Sequence, residues 1–374
     1  MEELNQLLDC LEANIDLEHA ATVEKMHLDA LNYRELPYLP LTLIVPPDAD
    51  GKFKPFPYSE AFDDPEKMLF NELLMSFSST YQSTLIKDYF PYQIRSNHGL
   101  GIINSLFGSR CRIVNDNMPW VDHLEGGTEA VKQLIQKGLP DMKAGLGGKV
   151  LETYQFFREK LKEYPRCYQA IHITQPDMQG PFDIAHLFWG TDVFYELYDH
   201  PEIIEELLNL VTETYIRFRN FIDPYLTDKA GTEAVYVHGG IFGGKVLLKD
   251  DTAIINLSRE MYIRFAQPFN QRILTEFGGS IHYCGPIRDW HYEVLEHPRL
   301  KSLQYGNPEM HNLEVIMNKW RPQKVAVAFW GYNQDYHFAK QAILSGIKTG
   351  MTLAAKVDSA AQASEILKEH TGKS

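Results

Sequence analysis

A (β/α)8 barrel with an N-terminal helical extension is the architecture this sequence predicts, on three observations. From Tyr92 onward, short apolar segments alternate with amphipathic helices, which implies parallel strands joined by crossovers. No Gly-rich phosphate loop follows any of those segments, which disfavours the alternative of an open doubly wound sheet. The 374 residues suffice for one large barrel plus an elaboration.

Residues 1 to about 30 carry Leu4, Leu7, Leu8 and Leu11 at helical spacing, and Tyr38 to Pro47 is an extended stretch punctuated by prolines. Asp63 or Asp64, with Pro65 behind it, opens a helix expected to run to about Phe77. We take residues 1–88 as an extension packing on the barrel and 89–374 as the barrel itself. Strand candidates are Tyr92–Arg95, Arg112–Asn115, Gln169–Thr174, Ala234–His238, Ser280–Cys284, Leu300–Tyr305 and Val325–Trp330. Between them, residues 200–222 form a one-sided stripe with acidic residues at the start, where the helix dipole is positive. Ser258 can cap another helix, with a bend expected at Pro268.

Composition narrows the function. The formal net charge of -14 argues against nucleic-acid or anionic-membrane partners, which need clustered Lys and Arg. No apolar run approaches the roughly 18 residues of a spanning helix. Residues 1–20 are acidic and hold no lysine or arginine, the reverse of a secretory signal. Cys10, Cys111, Cys167 and Cys284 form no CxxC pair, which fits a reduced, cytoplasmic protein.

In such barrels the working groups lie just beyond the carboxyl ends of the strands. Asp177, Gln179 and Asp183 follow the third candidate strand, His238 ends the fourth, and Lys249-Asp250-Asp251 lies soon after. His282 and Cys284, two apart on one strand, face the same side and offer a borderline and a soft donor suited to zinc. Tyr305, Asn307 and Trp330 close the later strands. Each has a structural competitor: Asp183 as a helix cap, Asp250 and Asp251 as solvated loop charges, His238 as a core histidine, Tyr305 and Trp330 as packing.

The stretches Gly180-Pro181-Phe182-Asp183-Ile184-Ala185, Asp199-His200-Pro201-Glu202, 251–262, Gln267-Pro268-Phe269 and Ile281-His282-Tyr283-Cys284-Gly285 resemble the uroporphyrinogen decarboxylase superfamily. The resemblance runs from about Tyr92 to Ala355 and spans both the decarboxylase and the zinc-dependent cobalamin:acceptor methyltransferases. It implies a barrel with its cleft at the carboxyl strand ends, and homodimerisation. It also implies that His282 and Cys284 are two zinc ligands. The methyltransferases' third ligand, a cysteine near the last strand, has no counterpart, because no cysteine follows Cys284. A third ligand would come from His238, Glu309, Asp335 or His337.

Three functions follow. The first is a corrinoid-linked methyltransferase-like enzyme acting on a small substrate, with Asp177, Asp251 and His238 as catalytic groups. In it, Arg95, Gln179, Tyr305, Asn307 and Trp330 bind substrate, and a corrinoid protein is the methyl donor. The second is a decarboxylase-type lyase of porphyrin biosynthesis using Arg95 or Arg34. The paired arginines of that family's pattern are absent here. The third is a ligand-binding barrel without chemistry.

Overall fold

The computed structural model describes residues 2–49, 51–75, 79–227 and 233–372. Its twelve strands, in chain order, are β1 (Leu41–Ile44), β2 (Gln93–Arg95), β3 (Cys111–Arg112), β4 (Trp120–Val121), β5 (His172–Thr174) and β6 (Ala234–Val237). Then come β7 (Gly240–Gly243), β8 (Val246–Lys249), β9 (Gly279–Tyr283), β10 (Leu300–Tyr305), β11 (Ala326–Trp330) and β12 (Met351–Lys356). The fold is α/β around a six-stranded parallel sheet in the order β1-β12-β11-β10-β9-β8. Every residue of β8, β9 and β11 is buried, as expected for parallel strands covered on both faces.

Sequence explains the helices around that sheet. The acidic start and apolar stripe at 200–222 become the helix Pro201–Ile222, with Ile204, Leu207, Leu208, Val211, Tyr215 and Phe218 buried. Ser258 caps Arg259–Phe265 by accepting from the Met261 amide, and Pro268 sits in the first turn of a separate helix, Gln267–Phe277. Asp64 caps Pro65–Leu74, and the expected end of that helix at 76–77 lies outside the described residues. The single N-terminal helix expected from spacing is two, Glu2–Asn14 and Leu17–Leu31, because Asp16 caps the second.

Strands β2 and β5 form a separate parallel pair. On one side, the Tyr89 amide donates to the Leu41 carbonyl at 3.3 Å, and Asp88 Oδ2 accepts from the Leu43 amide at 2.6 Å. On the other, Gln179 bridges in parallel to Lys249. The segments leading into β2 and out of β5 thus touch the two edges of the six-stranded sheet.

The segment Ala234–His238, expected as a barrel strand, is instead one arm of an antiparallel hairpin, β6–β7. His238 and Gly239 occupy its turn with φ of 53° and 85°, the pair of left-handed conformations a tight two-residue hairpin needs. Its backbone meets Thr42 of β1 (3.4 Å), Gln93 of β2 (3.3 Å) and Ser302 of β10 (3.4 Å). Strands that far apart in the sheet can all reach it only if the sheet curls around it. The hairpin therefore fills the concave interior. Residues Arg112–Asn115, also expected as a sheet strand, contribute only Arg112 to a small antiparallel pair, β3–β4. Among the described residues no helix is long and apolar enough to cross a membrane.

Asp88 is only 1% exposed, and its burial in this packing raises its pKa to about 7. A raised folded pKa means the native state binds more protons than the unfolded chain between about pH 4 and 7, so stability falls as pH rises through that window. Asp88→Asn is expected to be more stable than the native chain at about pH 8, by roughly 1–3 kcal/mol, with the gap closing near pH 4. Urea denaturation across pH measures it, and a pH-independent difference would contradict it.

Candidate active site

The carboxyl ends of β2, β5, β8, β9 and β10 bring two clusters together. The first lies where β8 hands over to the helix Asp251–Asn256, beside the end of β9. His282 Nε2 is 3.6 Å from Cys284 Sγ and 3.7 Å from Asp251 Oδ1, and all three ligand atoms lie within 4.8 Å of one another. Register pairs Gln304 on β10 with His282 on β9, and Gln304 Oε1 stands 3.0 Å from His282 Nδ1. That contact takes the Nδ1–H and leaves the Nε2 lone pair facing the thiol and the carboxylate, as a partner behind a ligating histidine does.

Local structure fixes the other two donors. Asp251 Oδ1 accepts from the Cys284 amide at 2.5 Å, so the carboxylate and the strand end hold each other. Asp183 Oδ1 accepts from the Thr252 amide (2.9 Å) and hydroxyl (2.6 Å), which pins the first turn of the helix that carries Asp251. Asp250 Oδ2 accepts from the Tyr262 hydroxyl at 2.5 Å. Burial pushes Cys284 up to about 12, with Asp251 adding to the effect, and burial lowers His282. Near neutral pH these are therefore a thiol and a neutral imidazole. A sulfur, an imidazole nitrogen and a carboxylate oxygen at this spacing fit zinc, and with three protein donors a fourth position is left for substrate.

The third ligand-type group beside His282 and Cys284 is Asp251, and none of the four residues considered from sequence joins that cluster. His238 lies in the second cluster, and Glu309 accepts from Asn307 and Gln334. Asp335 caps the helix Tyr336–Leu344, and His337 meets Gln341.

The second cluster is a buried ionic group. Lys249 Nζ stands 2.5 Å from Asp177 Oδ1, Arg95 lies 3.5 Å from Oδ2, and Gln179 donates to Oδ1 at 3.1 Å. Lys249 also approaches His238 Nε2 at 3.5 Å, and these two, Arg95 and Asp177 are only 5–8% exposed. Burial alone would raise the Asp177 pKa, but Lys249 and Arg95 outweigh it and hold the carboxylate well below its usual range. His238 is pushed well below its ordinary value by burial and by the same two cations. Asp177 is thus a fixed negative charge and His238 a neutral acceptor for Lys249, which makes both poor at carrying protons near neutral pH.

The remaining sequence candidates sit around these clusters. Asn307 Oδ1 accepts from the Gly285 amide at 2.9 Å, which shapes the turn after Cys284. Tyr305 accepts from Trp320 Nε1 at 3.0 Å and packs edge-on against Trp330, with both rings buried behind the strand ends and little surface left for a ligand. Sequence reasoning named Lys249 at a strand end without giving it a role, and gave none to Gln304. A lysine closing the apolar run Val246-Leu247-Leu248 was the available signal for the first. The second emerges only from strand register.

Comparison with family models and with curated proteins gives no match. Among solved structures, a methyltransferase from Methanosarcina mazei superposes with a TM-score of 0.63 at 16% identity, over 94% of this chain and 98% of that one. The two chains share a fold.

Proposed function

We propose that the chain is a methyltransferase-like enzyme acting on a small substrate in the cleft at the strand ends. The observation carrying this reading is the convergence of Asp251, His282 and Cys284 on one point. The fold shared with a methyltransferase supports it. In this reading the six-stranded sheet, β2 and β5 make up an eight-stranded barrel. Residues 1–88 pack on it and lend it β1. A corrinoid protein is the methyl donor.

Zinc, when bound by these three residues, would supply Lewis-acid activation of a thiol or hydroxyl on the acceptor. The chain's own residues do the rest. Gln304 keeps the His282 lone pair turned toward the site, and Asp183 and the Cys284 amide hold Asp251 in place. Asp177, Lys249 and Arg95 set a rigid polar wall, with Gln179 beside it. A decarboxylase-type lyase would need cations open to a polycarboxylate, whereas Arg95 and Lys249 both face Asp177. That observation favours methyl transfer.

The purified chain is expected to hold about one zinc per molecule, and His282→Ala and Cys284→Ser each to lose it. With methylcobalamin and a panel of small thiols and alcohols, the native chain is expected to demethylate the corrinoid, followed by its visible absorbance, and both variants to be inactive. Metal-free protein with turnover unchanged by either substitution would sink this reading. Ligand binding without turnover would favour a binding barrel instead.

A further inference from the structure

We propose that the opposite, N-terminal mouth of the sheet holds a binding site for a small organic anion, one with an apolar body and a carboxylate or phosphate head. A cavity of about 230 Å³ opens there, with Leu28, Leu31 and Tyr33 among its apolar surfaces and Lys301, Lys324 and Glu233 as its charged groups. Lys301 is the second residue of β10 and Lys324 shortly precedes β11, so both ammoniums stand at strand starts, away from Cys284 and Asp251.

Three features favour an anion. Neither lysine forms an ion pair with a carboxylate among the described residues, although the chain as a whole carries a formal charge of -14. Two cations with no carboxylate partner among the described residues, in one recess of an acidic protein, are a local reversal of sign. Arg321 adds a third positive charge close enough to oppose the rise that burial causes in the Tyr33 pKa. The apolar surface beside the lysines suits an organic body better than a bare ion, and the volume exceeds what a few waters need. Glu233 also lines the recess, and with one acid against two lysines the described lining still carries a net positive charge.

The cavity has a mechanical link to the candidate active site. Glu233 immediately precedes β6 and Gly243 ends β7, so the recess touches the base of the inner hairpin. The turn at the hairpin's far end carries His238, beside Lys249 and Asp177. Four paired residues per arm put the two ends roughly 13 Å apart. The anion site itself does not depend on the methyltransferase reading.

Calorimetric titration of the full chain with phenyl phosphate tests the proposal, with inorganic phosphate and phenol as the separate halves of the probe. Saturable binding of phenyl phosphate is expected, weakened about tenfold by Lys301→Ala and by Lys324→Ala. The lysines lie at the surface, so both variants should fold. His282→Ala should bind phenyl phosphate as the native chain does. No saturable heat at millimolar probe would overturn the proposal, as would lysine variants that bind like the native chain. Phosphate binding as tightly as phenyl phosphate would overturn the apolar half of the assignment.

Discussion

Asp177→Asn is expected to cost the chain about 3–5 kcal/mol of stability and to abolish activity. The substitution keeps the shape of the side chain and removes its charge, leaving Arg95 and Lys249 buried together without their shared carboxylate. Glu72 still offsets part of the Arg95 charge, so the cost falls mainly on Lys249, and a buried cation without its counter-charge is among the costliest single defects a core can hold. The sign with pH follows from the Asp177 pKa, which is held below its ordinary value. Its contribution is present above about pH 4 and disappears as pH falls through the folded value, so the variant should lose part of the native chain's acid sensitivity. Urea denaturation at neutral and acid pH checks both statements. A loss below about 1 kcal/mol at neutral pH would mean that solvent screens the cluster. Adding Lys249→Met to the variant should recover part of the loss, because it removes one of the stranded charges.

Gly306→Ala is expected to empty the three-donor site while leaving the fold intact. Gly306 lies just past β10, and a Cβ there would stand 2.6 Å from Cys284 Sγ and 3.1 Å from His282 Cε1. The methyl group must displace the Cys284 sulfur and crowd the His282 ring beside it, so zinc affinity should fall by at least about 10–100-fold, as it does when a ligand's support is disturbed. Metal content and thermal melting together separate the outcomes. Full zinc occupancy would show that the site opens differently from this geometry, whereas unfolding would show that Gly306 is a packing residue.

The sequence was most legible where pattern and chemistry coincide in one short stretch. His282 and Cys284 lie two apart on one strand, so their shared orientation follows from backbone period alone. The helix at 201–222 was equally plain, because a long stripe and an acidic start are both local. What escaped was long-range. Asp251 reaches the pair from another strand end, and its place beside them depends on parallel register between β8 and β9. Gln304 likewise becomes meaningful only opposite His282. The segment 234–238 has the apolar run of a sheet strand, but the glycines after it allow a tight turn, and they fold it back as a plug. Strands β8 and β12 were missed because Val246–Lys249 is short and Met351–Lys356 carries few of the bulky residues that mark a strand.

The neighbouring positions of β1 and β12 bear on how the protein is made. Residues 41–44 pair with 353–356 in register, so a strand synthesised early finds its partner only after some three hundred further residues have left the ribosome. Until then Leu41, Leu43 and Ile44 form an open apolar edge, the kind of surface on which nascent chains stick to one another. A chaperone that holds such edges during translation should therefore raise the yield of native protein more than one supplied after release.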